Sequence, residues 1–256
     1  MPKAKLSAIV LTKDSQDVIK DCLESLTFAD EIVVIDDRST DRTAGICKNY
    51  TDNVFIDNVE GFANKRNLGA EKAVGDWILQ IDSDERVTPE LSAAVREAVD
   101  SGRDYAGYKF RRRNYFLGHF MRYGGWYHYS TNLYNKGRGR YEGLVHERLV
   151  LDGPIGTIEE ATEHRPFQNI AQFLERQNRY TVYEARDLLN KRGKLPEKEV
   201  IYNLTWKPLK LFLKFYLKKQ GFREGMIGFI FSVLFSYVHF MKWTKYWELT
   251  YGQKAR

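Results

Sequence analysis

Apolar positions in the first hundred residues switch repeatedly between short strand-like runs and helical spacing. Leu6 to Leu11 reads as a buried strand, and Val18, Cys22 and Leu26 then recur on one helix face. Glu31 to Ile35 is a second apolar strand, closed by Asp36-Asp37, after which Ser39 or Thr40 is expected to cap a helix running through Tyr50. Val54 to Ile56 predicts a third strand, Phe62 to Val74 a helix and Trp77 to Ile81 a fourth strand. Thr88-Pro89-Glu90 then opens another helix, with a capping side chain, Pro in the first turn and an acid near the positive helix end. Repeated βα units of this kind predict an α/β fold, a mostly parallel sheet with helices on both faces.

Residues 104 to 165 change character. They are rich in Tyr, Arg and Gly with weak periodicity, which fits irregular strands and loops. Helical spacing returns from Ile170 through Leu189 and breaks at Gly193-Lys194-Leu195-Pro196. Near Trp206 a basic, aromatic segment begins. The pattern divides the chain into a catalytic domain over 1–200 and a helical appendage over 201–256.

Charge sharpens that division. The chain of 256 residues carries a net +6, yet 10 of its 40 Lys and Arg lie from Trp206 onward, with only Glu224 and Glu248 to oppose them. The first 205 positions hold the other 30 basic residues against 32 acids, so the body is slightly acidic. A nucleic-acid-binding role is therefore disfavoured, because the body has no basic excess to follow phosphates. Two cysteines make no disulfide framework or metal motif, and the short apolar start before Lys13 is too brief for a signal-peptide core, which points to the cytoplasm. In the appendage, Leu209, Phe212, Leu213, Tyr216 and Leu217 share a face opposite Lys207, Lys210, Lys214 and Lys218. That is the pattern of an amphipathic helix lying on an anionic membrane surface. Packing on the body or on a second subunit of a homo-oligomer is the competing reading. The uncharged stretch Met226 to Met241 is 16 residues, short of the roughly 20 needed to span a bilayer.

The candidate chemistry lies at strand ends. Asp82-Ser83-Asp84 follows the fourth strand and projects two carboxylates from one turn. Mg²⁺ or Mn²⁺ needs such a site when most of its coordination comes from water and substrate phosphates. An ordinary strand-end turn would use the same residues. Asp36-Asp37 closes the second strand, so two acidic clusters fall on the sheet edge where open α/β sheets bind ligands.

Taken together, Leu6 to Asp14, Val33 to Asp41, Ala63-Asn64-Lys65-Arg66-Asn67 and Asp76 to Glu85 resemble family 2 glycosyltransferases of the GT-A fold. Val87-Thr88-Pro89-Glu90-Leu91 and Gly143-Leu144-Val145-His146-Glu147 extend the likeness toward bacterial lipopolysaccharide core β-1,4-glucosyltransferases. The resemblance covers about residues 4 to 190. It implies a UDP-sugar donor, a divalent cation, inversion at the anomeric carbon and a lipid-linked glycan acceptor such as the lipopolysaccharide inner core. Surface-glycan or exopolysaccharide assembly is the alternative. The implied setting is peripheral, on the cytoplasmic face of the membrane. On the same basis Thr12, Asp14 and Asp37 contact uridine, Arg66 with Asn67 lies against the nucleotide, and Asp82 and Asp84 serve metal and diphosphate.

An inverting transfer also needs a base to take the acceptor proton. The resemblance makes Glu147 the candidate, with Asp84 and Glu85 in reserve. A surface ion pair with Arg148 or Arg140 is the plainer role for Glu147. His146 and His164 are candidate metal or phosphate contacts, or hydrogen-bonded structural residues. The sequence departs from the family at Tyr127 to Tyr134, where an Arg-Leu-Phe-like stretch is usual. Lys109, Arg111, Arg112 and Arg113 either face an acidic acceptor or form a solvated strand edge.

Overall fold

The structure is a computed structural model that describes residues 4–143 and 147–252. His146 lies outside the described residues. The chain divides into two compact units, Met1–Arg113 with His128–His164, and Asn114–Tyr127 with Arg165–Arg256.

The first half alternates as its pattern predicts: β1 (Leu6–Thr12), α1 (Ile19–Glu24), β2 (Glu31–Asp36), α2 (Thr43–Cys47), β3 (Val54–Ile56), α3 (Phe62–Lys72), β4 (Trp77–Asp82), β5 (Glu85–Arg86) and α4 (Pro89–Asp100). The chain continues through β6 (Gly107–Phe116), β7 (His119–Phe120), β8 (His128–Asn135), β9 (Gly139–Glu142), β10 (Arg148–Leu151) and β11 (Ile155–Phe167). Helices α5 (Ile170–Arg192), α6 (Glu197–Leu204), α7 (Trp206–Leu213) and α8 (Gly225–Thr250) follow.

The main sheet runs in the order β3-β2-β1-β4-β8-β6-β11-β5, with β7 paired to β6, while β9 and β10 form a separate ribbon. Strands β3, β2, β1 and β4 are mutually parallel. Beyond β4, β8 runs antiparallel to both β4 and β6, β7 to β6 and β5 to β11, so the Tyr- and Arg-rich region builds the second half of the sheet. Its weak apolar alternation hides these strands from periodicity.

Strand β1 is buried on both faces. Leu6, Ala8 and Val10 pack with α1 and α4 residues such as Leu23, Leu91 and Val95, whereas Ile9 and Leu11 pack with Val33, Ile35 and Ala63 on the α3 side. A central parallel strand therefore needs apolar residues at every position. Thr88 caps α4 as expected, its Oγ1 accepting from Leu91 N at 3.2 Å, with Pro89 in the first turn. The expected cap of α2 is corrected. Ser39 bonds Asp36 and Thr40 bonds Asp14, so both are spent on the preceding loops, and the helix begins only at Thr43.

The second unit has its own aromatic core of Phe116, Phe167, Phe173 and Phe231, with Trp126 and Phe235 packed against it. Near the Gly193 break, the Tyr246 hydroxyl donates to Gly193 O at 2.6 Å and accepts from Leu195 N at 2.8 Å. Helix α8 is longer than the uncharged stretch suggests, because Lys242 and Lys245 are carried within it. At 26 residues it extends about 39 Å at 1.5 Å per residue, so by length and composition it suffices to cross a membrane.

Candidate active site

Parallel register sets the site. Thr12 pairs with Asp36 and Leu11 with Asp82, which aligns the carboxyl ends of β2, β1 and β4. The chain leaves β1 and β2 through Asp14 and Arg38, both left-handed at φ 44° and 53°. Asp14 Oδ1 accepts from Thr40 N at 2.8 Å, a bond across 26 residues that ties the turn after β1 to the loop after β2. The loop is tied across to the next strand end by Ser15 Oγ and Ser83 Oγ, 3.0 Å apart. Thr12 Oγ1 is buried with no hydrogen-bond partner among the described residues.

Helix α3 lies across these strand ends and spends two consecutive side chains on them and the next on β9. Lys65 Nζ stands 2.6 Å from Asp37 Oδ2, after β2. Arg66 Nη2 donates to Asp82 Oδ1 at 2.9 Å, at the end of β4. Asn67 donates to Tyr141 O and accepts from Tyr141 N, both at 2.9 Å, which fixes β9 beside the helix. Asn67 therefore positions Tyr141, whose ring lies under the Arg66 guanidinium at 5.3 Å. Lys65, which lies in the family-like run but was given no role there, and Tyr141, which carried no sequence signal, both belong to the constellation.

Arg66 also reaches Glu147, with Nε and Nη2 at 3.4 and 3.5 Å from Oε1. The surface-pair alternative for Glu147 is not what forms, since Arg148 approaches Glu142 at 3.9 Å instead. Arg112 enters from β6. Its Nε is 2.8 Å from Glu85 Oε1 and its Nη2 is 3.6 Å from Asp82 Oδ2, so it is neither a solvated edge residue nor simply acceptor-facing. Its signal in sequence was drowned by the neighbouring Arg111 and Arg113.

Burial and charge oppose each other here. Burial raises the Asp82 pKa, but Arg66 and Arg112 outweigh it and hold this carboxyl below its ordinary value. Glu85 is fully buried, and for it burial wins over Arg112 and pushes the pKa up. Glu85 Oε2 accepts from Asp82 N at 2.9 Å and so braces the acidic turn from behind. Asp84 Oδ1 lies 3.3 Å from His164 Nε2, and both residues are mostly buried. Asp82, Arg66, Arg112, Tyr141 and Glu147 line one cavity of about 320 Å³, together with Ser130 and Asn132 from β8. Asp37 is the other acidic anchor, where Lys65 and then Lys13 lower a pKa that burial alone would raise.

The family model described as Glycosyl transferase family 2 matches residues 7–148, more than half of the chain and nearly all of these groups. The chain belongs to glycosyltransferase family 2. Two of its curated relatives match it nearly end to end. The lipopolysaccharide core biosynthesis glycosyltransferase LpsC of Rhizobium meliloti (strain 1021) is 28% identical, covering 100% of this chain and 96% of LpsC. An uncharacterized glycosyltransferase, RC0292 of Rickettsia conorii, is 26% identical, covering 98% of this chain and 92% of the relative. Among solved structures, Staphylococcus aureus TarS 1–349 in complex with UDP-GlcNAc aligns with a TM-score of 0.48 at 15% identity, covering 98% of this chain and 92% of that one. In this glycosyltransferase the GT-A fold expected from sequence is present, as four parallel strands, two of them ending in Asp, with flanking helices and a long C-terminal helix.

Proposed function

We propose that this glycosyltransferase moves a sugar, glucose by preference, from a UDP-sugar to a lipid-linked glycan of the lipopolysaccharide inner core, with inversion and with Mg²⁺ or Mn²⁺. The observation that carries the reading is the Arg66 bridge between Asp82 and Glu147. It brings a strand-end carboxylate and a carboxylate remote in sequence into one cavity. The name of the Rhizobium relative supports the class of acceptor.

Roles follow from position. Asp37 and the Thr12 to Asp14 loop are the uridine contacts, and the buried unpartnered Thr12 hydroxyl supplies a group for that purpose. Asp84 would hold the cation through its carboxylate, and His164 beside it would serve Mn²⁺ better than Mg²⁺, because imidazole is a softer ligand than an oxygen. No group of three or more His, Cys, Asp or Glu side chains gathers as a metal site among the described residues, and the donor diphosphate would have to supply further ligands. The cation, when bound, acts as a Lewis acid on the departing diphosphate. Asp82, held ionised between two guanidiniums, orders Arg66 and Arg112 around the cavity instead of serving chiefly as a ligand.

Glu147 is the general base. Both bonds from Arg66 fall on Oε1, which orients the carboxylate and leaves Oε2 to accept the acceptor hydroxyl's proton. The enzyme works peripherally, at the cytoplasmic face of the membrane.

The test is UDP release from a panel of UDP-sugars, with a lipopolysaccharide inner-core acceptor, in Mg²⁺ or Mn²⁺ and again with EDTA. Acceptor-dependent release that EDTA abolishes is expected, with UDP-glucose foremost. Release indifferent to EDTA overturns the metal, and no release from any UDP-sugar overturns the donor.

A further inference from the structure

Helices α7 and α8 pack together and still leave an apolar surface. The Phe229 ring lies 5.8 Å from both Phe212 and Tyr216, which joins the two helices into a hairpin. On its outside Leu213 is 42% exposed, Leu217 53%, Met226 72% and Phe229 43%. Exposed large side chains continue along one stripe of α8 through Val233, Tyr237 and Phe240. A contiguous apolar surface of this kind marks a site of contact.

Its border says with what. Lys210, Lys214, Lys218, Lys219 and Arg223 are exposed along α7 and the turn that leads into α8, with Lys207 half-buried near the start of α7. The acid among them, Glu224, has a nearly buried side chain that faces His119 Nε2 and Tyr123 N, both at 2.7 Å, so it does not offset that charge outside. A second copy of this chain would bring the same cations against each other, whereas an anionic lipid surface complements them.

We propose that the α7–α8 hairpin lies in the interfacial layer of an anionic phospholipid bilayer, with α8 along the surface and not across it. The opposite stripe of α8 is committed to protein. Phe231, Ser232, Ser236, Trp243 and Tyr246 are buried. Lys245 Nζ donates to Asn178 Oδ1 at 2.7 Å and Thr181 Oγ1 at 2.8 Å on α5, and Lys242 faces Glu184 at 3.6 Å. Crossing the hydrocarbon would break these contacts or pull the charged residues of α5 in with them, a heavy penalty without compensating partners. Interfacial placement keeps them and buries only the exposed stripe, with the lysines reaching toward headgroups. This deepens the peripheral location proposed above, and its test needs neither donor nor acceptor.

The full chain is mixed with phosphatidylcholine vesicles, with and without about 30 mol% phosphatidylglycerol, and sedimented at low and high salt. Binding to the anionic vesicles alone, weakened by salt, is expected. Lys210→Glu with Lys214→Glu should weaken it by more than tenfold, since each basic residue contributes about fivefold. Leu217→Asp with Met226→Asp, both on the exposed outside of the hairpin, should abolish it while the thermal melt stays near that of the parent. Equal binding to both vesicle types, or binding unchanged in both variants, overturns the proposal. So does a dimer in light scattering that the Asp variant dissolves, which would make the face a subunit contact. Retention in cell membranes after an alkaline carbonate wash would show α8 to span and overturn it equally.

Discussion

Glu147 is 81 residues from Arg66 along the chain, and one guanidinium ties it to Asp82. Replacing Glu147 by Gln keeps the size and a hydrogen-bond acceptor but removes the basic oxygen. Turnover should fall by about 10²- to 10⁴-fold, with UDP affinity little changed, as measured by kinetics and calorimetric titration. Loss of affinity in step with turnover would place Glu147 in binding instead. Asp84→Asn should lower turnover by about 100-fold or more, because the charge stabilisation attributed to the cation amounts to several kcal/mol. Its fold should persist by circular dichroism. The Asp37 pKa is raised by burial but lowered further by Lys65 and Lys13, so it is net depressed in the folded chain. The stability it contributes is therefore complete above the unfolded Asp value of about 3.9 and is lost as pH falls through the folded one. Lys65→Met removes most of that difference. Its melting temperature should fall less steeply than the parent's between about pH 5 and pH 3, and parallel curves would assign Lys65 no such coupling.

At the scale of elements, α3 was legible as a helix and the family resemblance set Arg66 and Asn67 against the nucleotide, but the protein partners of its side chains were not legible. Lys65, Arg66 and Asn67 are successive residues whose partners sit after β2, at the end of β4 and in β9. Nothing in local pattern tells a helix which strand ends it will cross. Strand β6 shows the same limit: Lys109 to Arg113 reads as one basic run, whereas the fold directs Arg112 into the acidic turn. The hairpin in front of α8 depends on close backbone approach. A Cβ on Gly228 would collide with the Gly221 carbonyl oxygen, a backbone atom that cannot swing aside. Gly228→Val should destabilise by about 1–3 kcal/mol, as forced overpacking does. That corresponds to roughly 2–10 °C in a thermal melt for a chain of this size. An unchanged melt would mean that the 3₁₀ turn Gly221–Glu224 relaxes without cost.

For the whole molecule, cation and nucleotide should stabilise the fold together more than separately. Asp84 and His164 alone make a sparse ligand set, and the diphosphate is expected to complete it. In a melting experiment Mn²⁺ alone should shift the midpoint little, UDP alone modestly, and both together most. Saturation to about 100 times the dissociation constant adds roughly 2.7 kcal/mol. Strict additivity of the two shifts would separate the cation site from the nucleotide.

What the sequence determined by itself was whatever depends on near neighbours in the chain. The βα alternation, the Thr88 cap, the Asp82-Ser83-Asp84 turn and the separation of a basic tail from an acidic body are set by side-chain period and charge within a few residues. The wording of the motifs added the family. Tertiary structure alone decided the pairings across long separations: Arg66 with Glu147, Arg112 with Glu85, and His164 with Asp84. It also decided which stripe of α8 is packed and which is left apolar and exposed. Those outcomes follow from strand order and helix packing, because a charge buried at a sheet edge takes the partner that the fold delivers, however distant in sequence.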